Sequence, residues 1–320
     1  KLQMTERVLP VLEDLQEAWC RISPHLHRTP VMSSHLLDQL TGANVFFKCE
    51  HLQKAGAFKA RGAINAVLSL DDAAAAAGVA THSSGNHGAA LAMAASARNI
   101  PAHIVMPSNA PRVKKEAVAA YGGLIIECEP TLTARESTVA TVIEQTGAHE
   151  VHPYNDSRII AGQGTAMLEL LEQVEDLDVV VVPVGGGGLL AGTAIAVKES
   201  NSNIEVVAVE PEGADDAFRS FGLGELQPQN NPQTIADGLR AGLGELNFDI
   251  IRKHVDTILT VPDTVIVQAM QLQWTRMKQL VEPSGAVSFA GLLEHPERFR
   301  QRRVGVVVSG GNVDLDNLPW

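Results

Sequence analysis

Apolar residues recur along this chain at two spacings, one helical and one strand-like, and the two alternate. Val11, Leu12, Leu15, Ala18 and Trp19 fall at helical spacing. They predict a helix from Pro10, suited to a first helical position, to Ile22, ended by Ser23-Pro24. Asn44 to Glu50 reads as a short strand and Ala60 to Leu70 as a helix; Asp71-Asp72 and the alanines after it continue that helix or begin another. From Gly78 a repeating unit sets in. Val79 to His82 is a strand, Ser83-Ser-Gly-Asn-His-Gly88 a turn and Ala89 to Arg98 a helix. His103 to Met106 is the next strand, with a helix opening near Pro111. Leu124 to Glu127 is a third strand, before a helix from Thr133 to Thr146. After His152-Pro-Tyr-Asn-Asp156 a second run begins. Val179-Val-Val-Val-Pro183 has the continuous apolar character of a strand covered on both faces, followed by the Gly185 to Gly188 turn and a helix from Leu189 to Lys198. Further strands are expected at Glu205 to Val209, Thr257 to Val261 and Val304 to Val308, with a long helix from Asp263 to Leu280.

Strands alternating with helices of this length predict βαβ units, parallel sheets and an α/β fold. A chain of 320 residues has room for two such lobes with a cleft between them. Hydrophobic residues make up 45% and charged residues 19%, as in ordinary globular proteins, and the 4% aromatic content suits close helix-on-sheet packing. A net charge of −12 argues against a nucleic-acid or anionic-membrane surface. Three scattered cysteines, Cys20, Cys49 and Cys128, form neither a disulfide framework nor a zinc pattern, so a reducing, cytoplasmic setting is expected. No membrane span or signal-peptide layout is visible, and Lys1 to Gln3 before Met4 are left out of the fold reading.

Candidate chemistry gathers at the turns. Lys59 sits in Ala55-Gly-Ala-Phe-Lys-Ala-Arg-Gly-Ala63 among small and apolar neighbours. Burial there would favour the free amine, a nucleophile for carbonyls; the competing reading is a helix-start lysine reaching to solvent over Phe58. Gly185 to Gly188, between a buried strand and a helix, suits a phosphate cradle of backbone amides, or simply a tight turn. Gly186, Gly188 and Ala191, with Glu210 near the end of the next strand, also satisfy a loose dinucleotide fingerprint, which keeps an NAD-dependent dehydrogenase open. Ser83 to Gly88 and Ser309-Gly-Gly-Asn312 are two more polar turns at strand ends, where α/β sheets bind ligands. Three polar turns and one lysine in an apolar setting point to a phosphorylated cofactor with a carbonyl carbon.

Ala57-Phe-Lys-Ala-Arg-Gly-Ala63, Ser83-Ser-Gly-Asn-His87, Ala161-Gly-Gln-Gly-Thr165, Gly185 to Gly188, Ile235-Ala-Asp-Gly238 and Ser309-Gly-Gly-Asn-Val-Asp314 together resemble the fold-type II pyridoxal phosphate enzymes. Within them the chain is similar to the serine racemase and serine/threonine dehydratase family, including 3-hydroxyaspartate dehydratases, from about Pro30 to Leu315. The resemblance implies a two-lobed fold like that of tryptophan synthase β, with residues 1–72 and 153–320 as a large cofactor-binding domain and 73–152 as a small mobile one. It implies that Lys59 holds pyridoxal 5'-phosphate as a Schiff base and later acts as base at the substrate Cα. Phe58 would pack on the cofactor ring, Asn86 would bond its hydroxyl, and Gly185, Gly186, Gly187, Gly188 and Leu189 would bind its phosphate. Gly238 and Glu282 would line the pocket. Ser309 would face the pyridine nitrogen and leave it largely unprotonated, which favours elimination.

By the same resemblance, Ser83, Ser84, Asn86 and His87 would hold the substrate carboxylate. Ser84 has two readings there, a second acid–base group opposite Lys59 or a binding residue only. Arg135 would receive a second carboxylate, and Tyr121 would stand near the closing lobe. Glu210, Asp216 and the Ala214 carbonyl would bind Mg²⁺, Ca²⁺ or Mn²⁺. Three departures stand out: Ala57 and Ala241 replace serines found in relatives, and His152 to Asp156 lies closer to the dehydratases than to the animal racemases. The implied activity is therefore dehydration of serine, threonine or 3-hydroxyaspartate to a 2-oxo acid and ammonia, with racemisation as the close alternative. A homodimer is the expected assembly.

Overall fold

The computed structural model describes residues 9–83 and 85–320. Residues 1–8, counted above with the large lobe, and Ser84 lie outside the described residues. Ten strands are seen among the described residues: β1 (Val31–Met32), β2 (Asn44–Cys49), β3 (Val79–His82), β4 (Ala102–Pro107), β5 (Leu124–Cys128), β6 (His149–Glu150), β7 (Val179–Pro183), β8 (Glu205–Pro211), β9 (Thr257–Val261) and β10 (Arg303–Val308). They form a six-stranded sheet in the order β1-β2-β10-β7-β8-β9 and a four-stranded sheet in the order β5-β4-β3-β6. All pairings are parallel except β1 with β2, as the alternating strand and helix pattern requires. The smaller sheet draws on residues 79–150 and the larger on the segments either side. β7 is buried along its whole length, and the helix Gly188–Ser200 behind it is apolar on nearly every side because it is covered on nearly every side. No helix among the described residues is long and apolar enough to cross a membrane.

Several element bounds differ from the sequence expectation. The first helix begins at Leu12, with Val11 as its cap and Pro10 outside it. The helix expected to reach Leu70 stops at Leu68, and Asp71 caps a separate short helix through a side-chain bond to the Ala74 amide. The helix of the small lobe starts at Asn86, inside the polar turn, because Ser83 Oγ accepts the Gly85 and Gly88 amides and so nucleates its first turn early. The helix from Asp263 ends at Met277, since Lys278 turns to φ +60°. Several helices lie outside the sequence expectation, the two most buried being Ser157–Gln173 and Pro283–Glu294. Both are rich in small and apolar residues on most faces, so neither shows a clear amphipathic period.

The first of these explains the Ala161-Gly-Gln-Gly-Thr165 motif. A Cβ on Gly162 would lie 2.6 Å from Gly62 Cα, and one on Gly164 would lie 2.8 Å from Gly192 O. The helices Lys59–Leu68, Ser157–Gln173 and Gly188–Ser200 therefore cross backbone against backbone, which fixes the Lys59 helix relative to the glycine turn. A buried ionic group reinforces that crossing. Arg61 donates twice to Glu50 (both 2.7 Å) and once to Glu169 (2.9 Å), and Lys48 donates to Glu169 at 2.6 Å. All four side chains are fully shielded from water.

Candidate active site

The cleft expected between the lobes lies where the turns after β2, β3 and β10 bond one another and the turn after β7 packs on Tyr154, beside the Pro153 that Lys59 reaches. After β2, the chain passes through Ala55 (φ +57°) and Gly56 (φ +70°) into the helix of Lys59. Asn312 reaches the same loop, and Ala57 pairs with Gly310 in an isolated antiparallel bridge. Phe58 N–H donates to Ser309 O (3.1 Å), so the lysine loop and the turn after β10 are laced together. Lys59 Nζ projects over the Phe58 ring, 5.2 Å from its centroid, and donates to Pro153 O at 2.7 Å. Removal from water lowers its pKa to about 8. Lys59, half-buried at the start of its helix, thus turns its amine onto the Pro153 carbonyl.

The turn after β7 accepts nothing larger than glycine. A methyl on Gly186 would collide with the Tyr154 ring, and one on Gly187 (φ +94°) would lie 2.7 Å from Leu243 Cδ1. Gly186 O accepts from Gly244 N–H (3.0 Å) and Asn247 Nδ2 (2.6 Å), which pins the turn from behind. In the helix that follows, Ala191 N–H bonds back to Gly187 O (2.8 Å); the amides ahead of it form the first turn, where an anion finds donors and a favourable dipole.

Across the cleft, Asn86 donates to Glu282 Oε1 at 2.7 Å and accepts from Asn312 Nδ2 at 2.9 Å. Burial, then the nearby Asp237 charge, push the Glu282 carboxyl up to about 7. Ser309 Oγ lies 3.4 Å from Ser284 O, and Ser284 Oγ accepts the Gly238 amide at 3.0 Å. Gly238, Glu282 and Ser309 thus share one wall, and Ser284, absent from the sequence expectation, joins them. Only the opening of the helix by Pro283-Ser284 could have hinted at it. Asn247 and Lys114 are further residues absent from the sequence expectation, and Asn312 appears there only as the end of the Ser309 turn; Lys114 pairs with Asp237 and ties the helix Arg112–Ala120 to the turn before Gly238.

Of the residues expected to meet the substrate, Asn86 faces the cleft wall, whereas Ser83 Oγ is occupied in capping. The His87 ring is buried and points Nε2 at Val151 O (3.2 Å). Burial, with Lys59 as the next cause, holds His87 well below its usual range, so it is neutral. His82 and His152 meet edge to face at 5.8 Å, and burial lowers each to about 4. Arg135 is half-buried on the helix Leu132–Thr146, close enough that its charge acts on both His82 and Tyr154.

Glu210 and Asp216 are both fully buried. Glu210 accepts the Ala217 (3.0 Å) and Phe218 (2.8 Å) amides, and Asp216 accepts Gln229 Nε2 and Leu243 N–H, each at 2.7 Å. Desolvation raises both carboxyls, and the Asp216 charge raises Glu210 further. Ala214 is buried beside them in the turn Glu212–Ala214.

A lysine whose pKa burial lowers, with a glycine-only turn between a buried strand and a helix nearby, fits a cofactor-dependent α/β enzyme. A family model of pyridoxal-phosphate dependent enzymes matches residues 22–310, and the chain belongs to that family. The chain is 53% identical to a beta-hydroxyaspartate dehydratase of Paracoccus denitrificans, over 98% of this chain and 99% of that one. The structure of maize serine racemase superposes with a TM-score of 0.95 at 48% identity, covering 97% of this chain and 95% of the other. A serine racemase of Dictyostelium discoideum gives a TM-score of 0.91 at 48% identity, covering 95% and 99%. The fold-type II reading is borne out, and the dinucleotide fingerprint is not followed by dinucleotide chemistry. Both oxygens of Glu210, the carboxylate that would have bound a ribose, are turned onto the Ala217 and Phe218 amides.

Proposed function

We propose that this protein is a pyridoxal phosphate-dependent dehydratase of β-hydroxy-α-amino acids. The product is a 2-oxo acid and ammonia, the water lost in elimination being returned on hydrolysis. One observation carries the reading. Lys59 is an amine at a pKa of about 8, with Phe58 beneath it and a glycine-only turn across the cleft. Its surroundings fit the cofactor: a free amine for the carbonyl carbon, a helix N-terminus for the phosphate, and Asn86 and Ser309 for the ring's hydroxyl and nitrogen. When bound, the cofactor supplies an electron sink for charge developing at the substrate Cα. Lys59 then takes the Cα proton, and the neutral His82, His87 and His152 add no positive charge beside it. Ser309 offers the ring nitrogen a hydroxyl in place of an acid, which favours prompt loss of the β-hydroxyl.

Arg135 gives the site its substrate class. A guanidinium among neutral rings would receive a second carboxylate, so a 3-hydroxyaspartate-like substrate ranks ahead of serine and threonine. Closure of residues 73–152 over the cleft would bring Arg135 and Ser84 to the substrate. A divalent cation, Mg²⁺ or its equivalents, would be held by Glu210, Asp216 and the Ala214 carbonyl. The fit is chemical: two buried carboxyls at raised pKa gain most from a positive charge between them. Asp216 bonds Leu243, and Gly244 bonds the glycine turn, so loss of the cation would loosen the phosphate cradle. A cytoplasmic homodimer completes the proposal.

The test is incubation of the purified protein, with pyridoxal phosphate and Mg²⁺, with L-serine, L-threonine or L-threo-3-hydroxyaspartate, followed by assay of oxo acid and amino-acid chirality. Oxo acid without the D-isomer is expected. Accumulation of the D-isomer would favour the second reading, a racemase, which the likeness to maize serine racemase supports. Activity indifferent to chelator would remove the cation from the proposal.

A further inference from the structure

Asn312 lies outside the groups assigned above, yet two of them hang on it. Its Nδ2 donates to Ala55 O at 2.8 Å and to Asn86 Oδ1 at 2.9 Å. The Ala55 carbonyl only accepts, so the Asn312 group facing it is the NH₂, and chemistry alone fixes that amide. It follows that Asn86 turns its oxygen to Asn312 and its nitrogen to Glu282 Oε1, at 2.7 Å. A flipped Asn86 would set NH₂ against NH₂ at one end and oxygen against oxygen at the other. The anchor is itself held firmly. Ala55 adopts φ +57°, a left-handed conformation that a residue other than glycine holds only when its surroundings impose it. Gly311 N–H also bonds Gly56 O at 2.9 Å, and a Cβ on Gly56 would lie 2.9 Å from Asn312 Cγ.

We propose that Asn312 is a positioning residue that locks the Asn86 amide, keeping Asn86 a hydrogen-bond donor towards Glu282 and the cleft. This rests on the reading of Asn86 as the donor to the cofactor's ring hydroxyl. The lock matters because Glu282 titrates in the working range, at about 7. The charged groups acting on it from the elements packed around it are Asp237, on the turn Asp237–Leu239, and Lys114, on the helix Arg112–Ala120, which are paired with each other. Once protonated, Glu282 gains an O–H that could donate to Asn86 Oδ1 and pull the amide round. With Asn312 in place that rotation breaks the Asn312 bond and opposes two NH₂ groups. Without Asn312 no hydrogen bond among the described residues opposes it.

The experiment titrates cofactor-free protein with pyridoxal phosphate, following visible absorbance at pH 6 and pH 8.5. The Kd of Asn312→Ala is divided by that of the parent at each pH, which cancels the titration of Lys59 common to both. The expected ratio is about tenfold at pH 6, for the loss of one hydrogen bond to the ring, and close to one at pH 8.5. Adding Glu282→Gln removes the titrating group, and the ratio against Glu282→Gln alone should then be the same at both pH values. A ratio for the single variant that does not change with pH overturns the proposal, since a purely structural asparagine would behave so. Should Asn312→Ala fail to fold by circular dichroism, Asn312→Ser serves, because one hydroxyl cannot donate to both partners. Lys59→Ala keeps the two readings apart. A visible band surviving in Lys59→Ala sinks the cofactor site itself, whereas its loss there beside a pH-independent Asn312 ratio sinks only this inference.

Discussion

Replacing Arg61 by methionine perturbs the buried ionic group two residues after Lys59 and isolates one charge. In the native protein Lys48 and Arg61 balance Glu50 and Glu169, all shielded from water. Arg61→Met removes both of the 2.7 Å bonds to Glu50 and the 2.9 Å bond to Glu169. Glu169 keeps Lys48, and Glu50 keeps the Thr29 hydroxyl at 2.6 Å and the weaker, unbonded attraction of the Lys48 charge. Breaking a buried pair from one side costs about 3–5 kcal/mol, because a charge is left without compensation. The sign of the pH dependence then reverses. Burial works against the charged form of native Glu50, but Arg61 outweighs it and holds the pKa below the usual carboxylate value. Its stabilisation is therefore complete above pH 4.5 and lost only as pH falls through the lowered value. Without the guanidinium, burial dominates and raises the pKa. The folded variant then binds a proton more tightly than the unfolded chain, and its stability falls as pH rises through that raised value. The gap between parent and variant should widen from pH 5.5 to pH 8, by about 1.4 kcal/mol for each unit that Glu50 is raised within that window. Urea unfolding followed by circular dichroism at the two pH values measures it, and Arg61→Met/Glu50→Gln should recover part of the loss. A gap below about 1 kcal/mol, or one that is level with pH, would refute the reasoning.

Gly186→Ala drives a methyl into the Tyr154 ring; it should cost about 1–3 kcal/mol of stability and at least about tenfold in cofactor affinity, read by absorbance titration. Arg135→Ala should lower kcat/KM for 3-hydroxyaspartate by about 100-fold while changing serine turnover less than about threefold, and an equal loss on both would remove Arg135 from substrate recognition. Lys59 reacts as the free amine, so stopped-flow capture of pyridoxal phosphate should accelerate as pH rises through about 8 and level off above it; a midpoint beyond about pH 10, the ordinary lysine range, would contradict a lysine desolvated in the cleft. Lys59→Ala should lose both the visible band and turnover.

Much of this molecule is written in short stretches of chain. The Val179–Pro183 run, the glycines after it and the helix beyond form a strand-turn-helix unit that neighbouring residues specify, because strand burial and turn conformation are local requirements. Lys59 among small residues, and the serines and glycines at strand ends, are legible for the same reason. The helices Ser157–Gln173 and Pro283–Glu294 are not, since a helix buried on most sides has too little polar face to set its period. Nor does the chain reveal how its charges pair. Nothing near Lys48 or Arg61 in the sequence points to Glu169, which the fold brings against both from 121 and 108 positions away. The orientation of Asn86 depends on Asn312, 226 residues later, and on Glu282, 196 later. His87 reads as a substrate ligand, yet packing turns its ring onto Val151. Composition and turn chemistry determined the kind of site, because each turn acts through its own backbone. Which polar groups face one another, and hence every shifted pKa, was decided only when distant turns were packed together and water was shut out.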